Sequence, residues 1–273
     1  MPIMMETHLA IPKAPPESIL WRFMSVTKFV SLLSAETLVF PQVALLASRD
    51  PKEGQFTDLD HQIASQIDQD DTVAEQVGKH IGGDKPLDIK TVRRIAGERP
   101  LNFYNDMGPK THYVSCWNMS DHEPAQLWSM YASETDGIAI KSSIPKISKA
   151  LSYAEQKIYL GSIKYQNYDH VQMPVGNLFF PIYHKRIEFK NEQELRLCIL
   201  HHQDGGDFRY DGESNYATFD HYPPVISVPC DLKELISEII VAPFADPWVV
   251  DAIENLVAKY ELPAPVRRSS IAG

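Results

Sequence analysis

Cysteine is scarce in this 273-residue chain: Cys116, Cys198 and Cys230 stand far apart and form no CxxC pair. Two of them fall in apolar, strand-like runs, which predicts buried free thiols in a reducing cytoplasm rather than a disulfide framework. The ten histidines are scattered, with no HExxH and no Cys/His ligand spacing, so no metal site is expected. No apolar run approaches the length that crosses a bilayer. The segment 1–16 lacks the basic start and apolar core of a signal peptide and reads as a loose arm ending near position 17. Excess positive charge is missing too: the formal net charge is -10, which disfavours nucleic acid as a partner, because phosphate contacts need clustered Lys and Arg. Internal repeats, low-complexity tracts, a Gly-rich phosphate loop and a regular βαβ rhythm are all absent. That argues against a doubly wound sheet.

What is present reads as α+β: a mixed, mainly antiparallel sheet with flanking helices over 18–273, interrupted by a helical insertion at about 58–100. The run 18–24 reads as a first strand, 26–35 as a helix carrying Phe29, Leu32 and Leu33 on one side, and 37–46 as a returning strand. Ile63, Ile67, Val73, Val77 and Ile81 recur at helical spacing among many acids. After the strand 112–119, Ser120 and Glu123 suggest a capping box for a helix over 123–134 that Gly137 ends. Strands follow at 138–142 and 158–165, and a helix at 178–189 leads into a further strand. The stretch 205–224 reads as a long exposed loop. Strands at 225–230 and 238–243, a helix at 248–260 and a last strand from 266 complete the pattern. Oligomeric state is left open.

The most suggestive run is Lys190-Asn191-Glu192-Gln193-Glu194-Leu195-Arg196-Leu197-Cys198-Ile199-Leu200. Side chains at i and i+2 of a strand share a face. If the strand begins early enough, Glu192, Glu194 and Arg196 line one face while Leu195, Leu197 and Ile199 bury the other. Two crowded acids suit acid–base work or a grip on a sugar hydroxyl, or they simply pair with Arg196 at a solvated strand entrance. Arg22 sits between Trp21 and Phe23 in an apolar strand, where it needs a carboxylate or an anion such as a pyrophosphate. Trp128 and Tyr131 are i,i+3 neighbours, either a core pair or a ring platform for a flat base. Asp50 and Glu53 are turn formers or site residues, and Lys185 stands near enough to neutralise the acidic pair. Asp50 with Glu188 and Lys190 would alternatively suit a Mg2+-dependent nuclease, which the net acidity disfavours.

Taken together, Leu20-Trp21-Arg22-Phe23, Asp50-Pro51-Lys52-Glu53-Gly54, Val114-Ser115-Cys116-Trp117, Leu127 to Ala132, Gly137-Ile138-Ala139-Ile140, Lys185 with Phe189, Glu192 to Arg196 and Ile239 to Pro243 resemble the mostly bacterial family called domain of unknown function 2971. Ser48-Arg49, Phe189 and Ala242 depart from its usual pattern. The order of these pieces is more distantly similar to the ADP-ribosyltransferase arrangement. That similarity implies an NAD-consuming enzyme, a transferase or an NAD glycohydrolase, in which Arg22 holds the pyrophosphate. Tyr131, with Ser133, seats the nicotinamide ribose, Glu194 faces the cationic sugar and Glu192 orients the acceptor. A nucleotide-binding or regulatory module without catalysis is the remaining alternative.

Overall fold

The computed structural model describes residues 3–4, 10–174, 177–201 and 222–272; most of the expected 205–224 loop lies outside them. The chain runs β1 (Ile3–Met4), β2 (Ile19–Ser25), α1 (Val26–Ala35), β3 (Thr37–Pro41), α2 (Asp58–Gln69), α3 (Asp71–Gly82), α4 (Ile89–Ala96), α5 (Glu98–Thr111) and β4 (His112–Met119). It continues through α6 (Gln126–Tyr131), β5 (Gly137–Ser143), α7 (Ile144–Ala150), β6 (Ile158–Ser162), β7 (Lys164–Gln166), α8 (Phe179–Tyr183), β8 (His184–Arg186) and β9 (Glu194–Leu200). The described chain then closes with β10 (Val225–Pro229), α9 (Leu232–Leu235), β11 (Glu238–Val241), α10 (Pro247–Lys259) and β12 (Val266–Arg268).

An eight-stranded sheet in the order β1-β6-β9-β4-β2-β5-β11-β12 forms the centre. Only its outermost pairs, β1–β6 and β11–β12, are parallel, so the fold is α+β with a mainly antiparallel sheet flanked by helices. Both faces of its middle strands are covered. Leu195, Leu197 and Ile199 of β9 join Tyr113 and Trp117 of β4 in the large core under α1. On the other face, Cys198 and Val114 pack with Phe179, Ile182 and Tyr183 of α8. A strand buried on both sides reads as a near-continuous apolar run, which is why 195–200 shows so little polar alternation apart from Arg196.

Several local expectations change in three dimensions. The strand over 37–46 stops at Pro41, whose ring carries no N–H for the ladder, and a 3-10 turn, Val43–Ser48, follows. The helix placed at 123–134 covers only Gln126–Tyr131 and has no side-chain cap. Glu123 is instead buried under the C-terminal segment, accepting from Trp128 Nε1, Ser269 Oγ and Arg267 Nη1. The helix placed at 178–189 breaks after Tyr183 into β8 and a 3-10 turn, Ile187–Glu192. The helical run after position 58 extends through α5 to Thr111. Within the expected loose arm, Ile3–Met4 pairs with β6, and the Ser162 amide donates to the Pro12 carbonyl. Gly161 permits that approach, since a Cβ there would sit 2.4 Å from Ile11.

One feature of the sheet positions the site. β2 pairs with β5 over seven residues but with β4 only at Leu20↔Met119 and Trp21↔Asn118. Beyond that point β2 and β4 part, and a fork opens in the middle of the sheet.

Candidate functional site

A cavity of about 370 Å³ occupies the fork. β2 contributes Trp21, Arg22 and Phe23, and β4 contributes Val114, Cys116, Trp117 and Asn118. Consecutive residues of both strands reach it, so the cavity passes between the strands rather than lying on one face. The 3-10 turn after β3 supplies Leu45, Leu46 and Ser48, followed by Arg49, Asp50 and Glu53. The entrance of β9 supplies Glu192 and Glu194, with Lys185 and Phe189 beside them.

The β9 wall is a closed network of charge. Lys185 Nζ lies 2.5 Å from Glu192 Oε2, 3.3 Å from Glu194 Oε2 and 3.4 Å from Glu53 Oε2. Arg196 Nε donates to Glu194 Oε1 at 2.6 Å, its Nη2 contacts Glu194 at 3.2 Å and Glu53 at 2.7 Å, and its Nη1 donates to the Ile182 carbonyl. Tyr131 Oη donates to Glu192 Oε1 at 2.5 Å. All three carboxylates are buried, and Arg196 has no exposed surface at all. Three carboxylates against two cations leave one formal negative charge in excess, in a setting where charges interact strongly.

The titration of each group follows from its neighbours. Burial pushes Glu194 up, but Arg196 and Lys185 outweigh it and hold the carboxyl at about 2. Burial also works against the charge on Lys185 and Arg196, yet the carboxylates beside them raise both above their ordinary values. Burial and the charge of Glu192 raise the Tyr131 hydroxyl, so it remains a donor. Cys116 is pushed well up by burial and by the charge of Glu194; it is a thiol at neutral pH, not a thiolate.

The sequence expected Glu192 and Glu194 to share a strand face, but the strand begins at Glu194. Gln193 turns the corner in the left-handed region at φ 42°, and Glu192 belongs to the preceding 3-10 turn. The two acids meet through Lys185, not through strand alternation.

The β2 wall differs. Arg22 is half-buried, lies 5.7 Å from the Trp117 ring and donates to the Val39 carbonyl at a long 3.4 Å. No carboxylate among the described residues pairs with it, and burial pulls its pKa below the ordinary guanidinium value. Trp21 pairs with Asn118, and Asn118 with Glu194, so Trp21 and Glu194 share a sheet face. Arg22, one residue on, therefore projects to the opposite face. Ordinary alternation would separate Arg22 from Glu194; the fork is what lets both line one cavity.

Of the residues singled out in the sequence, Arg22, Asp50, Glu53, Tyr131, Lys185, Glu192 and Glu194 line the cavity. Trp128, Ser133, Arg196, Glu188 and Lys190 do not. Trp128 is a core residue: its ring meets Phe23 edge-on at 4.9 Å and its Nε1 donates to Glu123. Ser133 Oγ accepts from the amides of Thr135 and Asp136 and serves the turn before β5. Arg196 lies behind Glu194 and supports it from within. Asp50 is buried against Arg186 at 2.6 Å, whereas Glu188 and Lys190 are exposed and outside the lining.

The sequence reading missed Lys28 and Arg49, both exposed and both lining the cavity without a carboxylate partner among the described residues. Arg49 stacks over the Tyr131 ring at 4.4 Å. Lys28 left a signal: a cation in the first turn of a helix that has no acid there, at the positive end of the dipole. Among the described residues no group of three or more His, Cys, Asp or Glu is arranged to hold a metal ion, and no helix is long and apolar enough to cross a membrane. No model of a known protein family matches the chain, and no curated protein matches it.

Proposed function

We propose that this chain consumes NAD, breaking the bond between nicotinamide and ribose as an ADP-ribosyltransferase or NAD glycohydrolase. One observation carries the reading: Arg22, a guanidinium with no carboxylate partner among the described residues, and Glu194, a carboxylate held ionised by Arg196 and Lys185, line the same cavity from β2 and β9. Its volume lies within the range of small-molecule sites. Cleavage of an N-glycosidic bond builds positive charge on the ribose. The fixed carboxylate of Glu194 and the excess negative charge of its network oppose that charge, which stabilises the transition state more than the ground state. Because Arg196 and Lys185 hold Glu194 ionised, no proton has to leave it first. Arg22 binds the pyrophosphate, the Trp117, Phe189 and Tyr131 rings give the nicotinamide and its ribose a flat wall, and Glu192 orients the acceptor.

Purified protein incubated with NAD is expected to release nicotinamide, and Glu194→Gln to lower the rate by orders of magnitude with its fold intact by circular dichroism. Equal release by the wild-type protein and a folded Glu194→Gln protein would sink the catalytic assignment. A second reading has its own support: both oxygens of Glu194 are already engaged, as expected of a rigid binding wall. In that case ADP-ribose raises the melting temperature while no nicotinamide appears.

A further inference from the structure

We propose that Lys28, together with Arg22, forms the phosphate-binding part of the cavity, so that the ligand it takes carries a diphosphate rather than a bare riboside. The inference rests on the reading that a nicotinamide dinucleotide occupies this cavity, and it adds a residue and a subsite to it. The cations that line the cavity fall into two kinds. Lys185 is in contact with three carboxylates. Arg22, Lys28 and Arg49 have no carboxylate partner among the described residues, although the chain carries ten more acids than bases, and Arg49 lies apart from the other two, stacked on the Tyr131 ring. In so acidic a protein, Arg22 and Lys28, side by side on the β2–α1 wall with no carboxylate partner among the described residues, stand out from the rest of the charge pattern.

Both come from one short stretch. Arg22 is the central residue of β2, and Lys28 is in the first turn of α1, which starts directly after that strand. The turn between them is fixed by Ser25, whose Oγ accepts from the Lys28 amide and contacts Thr27 Oγ1. The cavity thus has a cationic wall and a wall with excess negative charge. A dinucleotide split between pyrophosphate and a sugar about to become cationic has the same polarity. A guanidinium and an ammonium offer different donors to such a ligand: a planar fork for one phosphate and a mobile point charge for the next. Lys28 is exposed and its ammonium bonds no other side chain among the described residues, so it can be changed without disturbing the fold.

Isothermal titration of the full chain with ADP-ribose, inorganic pyrophosphate and nicotinamide riboside tests the assignment. Lys28→Gln is expected to weaken ADP-ribose and pyrophosphate by roughly fivefold to tenfold at low salt, the scale of one charge-assisted contact. Lys28→Glu should weaken them further, Lys28→Arg should restore binding, and nicotinamide riboside should bind all four proteins alike. ADP-ribose binding unchanged in both Lys28→Gln and Lys28→Glu overturns the proposal, as does failure of ADP-ribose to bind the wild-type chain. The two readings separate cleanly. Lys28-dependent ADP-ribose binding without nicotinamide release keeps this subsite and removes the catalysis. Nicotinamide release with KM unaffected by Lys28 does the reverse.

Discussion

The two walls of the cavity are built on opposite plans. On the β9 side every charged group contacts one of opposite sign: Glu53, Glu192 and Glu194 converge on Lys185 and Arg196, all of them nearly or fully buried. On the β2 side, Arg22 and Lys28 face the same space with no carboxylate in reach among the described residues. The first plan costs desolvation and recovers it through close contacts, so it fixes geometry without needing a ligand. The second leaves charge half-solvated, with its strongest partner still to come. One wall is therefore tied to folding and the other to binding, and substitutions should separate the two.

The largest effect on folding is expected at Arg196. Arg196→Met leaves Glu194 and Glu53 to Lys185 alone, and removing one member of such a buried network costs about 3–5 kcal/mol. Urea denaturation measures it; a loss below about 1 kcal/mol would mean that the β9 wall is not held by its charges.

Acid should attack the paired wall next. Glu194 has its pKa lowered from 4.5 to about 2 on folding. Its stabilisation is complete above the unfolded value of 4.5 and is lost as the pH falls toward 2. The upper limit of that contribution is about 3 kcal/mol. A separate limb comes earlier. His112 at the start of β4 is buried, and burial lowers its pKa from 6.5 to about 4 despite its bond to the Gly108 carbonyl. A base kept neutral by the fold stabilises it fully above 6.5 and progressively less as the pH falls to about 4. Melting temperatures from pH 8 to pH 2 should show both limbs, and His112→Asn should remove only the upper one.

A smaller loss is expected from Tyr131→Phe, which deletes the hydroxyl that donates to Glu192. A hydrogen bond to a charged group is worth about 1.5–3 kcal/mol. The smallest effect on stability belongs to the other wall. Arg22→Gln should change it by less than about 0.5 kcal/mol, because no carboxylate loses its partner. Yet that variant should lose more ADP-ribose affinity than Tyr131→Phe. If Arg22→Gln destabilises as much as Arg196→Met, the contrast between the walls is wrong.

Much of the fold was legible because its signals are local. The strand at 19–25, the helix at 26–35, the strand at 112–119 and the C-terminal helix follow from spacing and capping within a few residues. The errors fall where tertiary contacts override local pattern. Ser120 and Glu123 have capping-box spacing, yet Glu123 serves Trp128 and the distant C-terminal Ser269 and Arg267. The 178–189 run is apolar enough for a helix, yet β7 claims His184–Arg186 as a strand partner. Trp128 and Tyr131 looked equivalent as i,i+3 neighbours; Phe23 and Glu123 take the first, and Glu192 and Arg49 take the second.

By itself the sequence determined the class of fold and the acids and bases available for a site: Arg22, Asp50, Glu53, Tyr131, Lys185, Glu192 and Glu194 could all be named from it. Their roles were decided by tertiary structure alone. Alternation puts Arg22 and Glu194 on opposite faces of the sheet, and only the early separation of β2 from β4 gives them a common space. Which cation is matched and which is left free likewise depends on contacts between residues far apart in the chain, and local spacing carries no record of those.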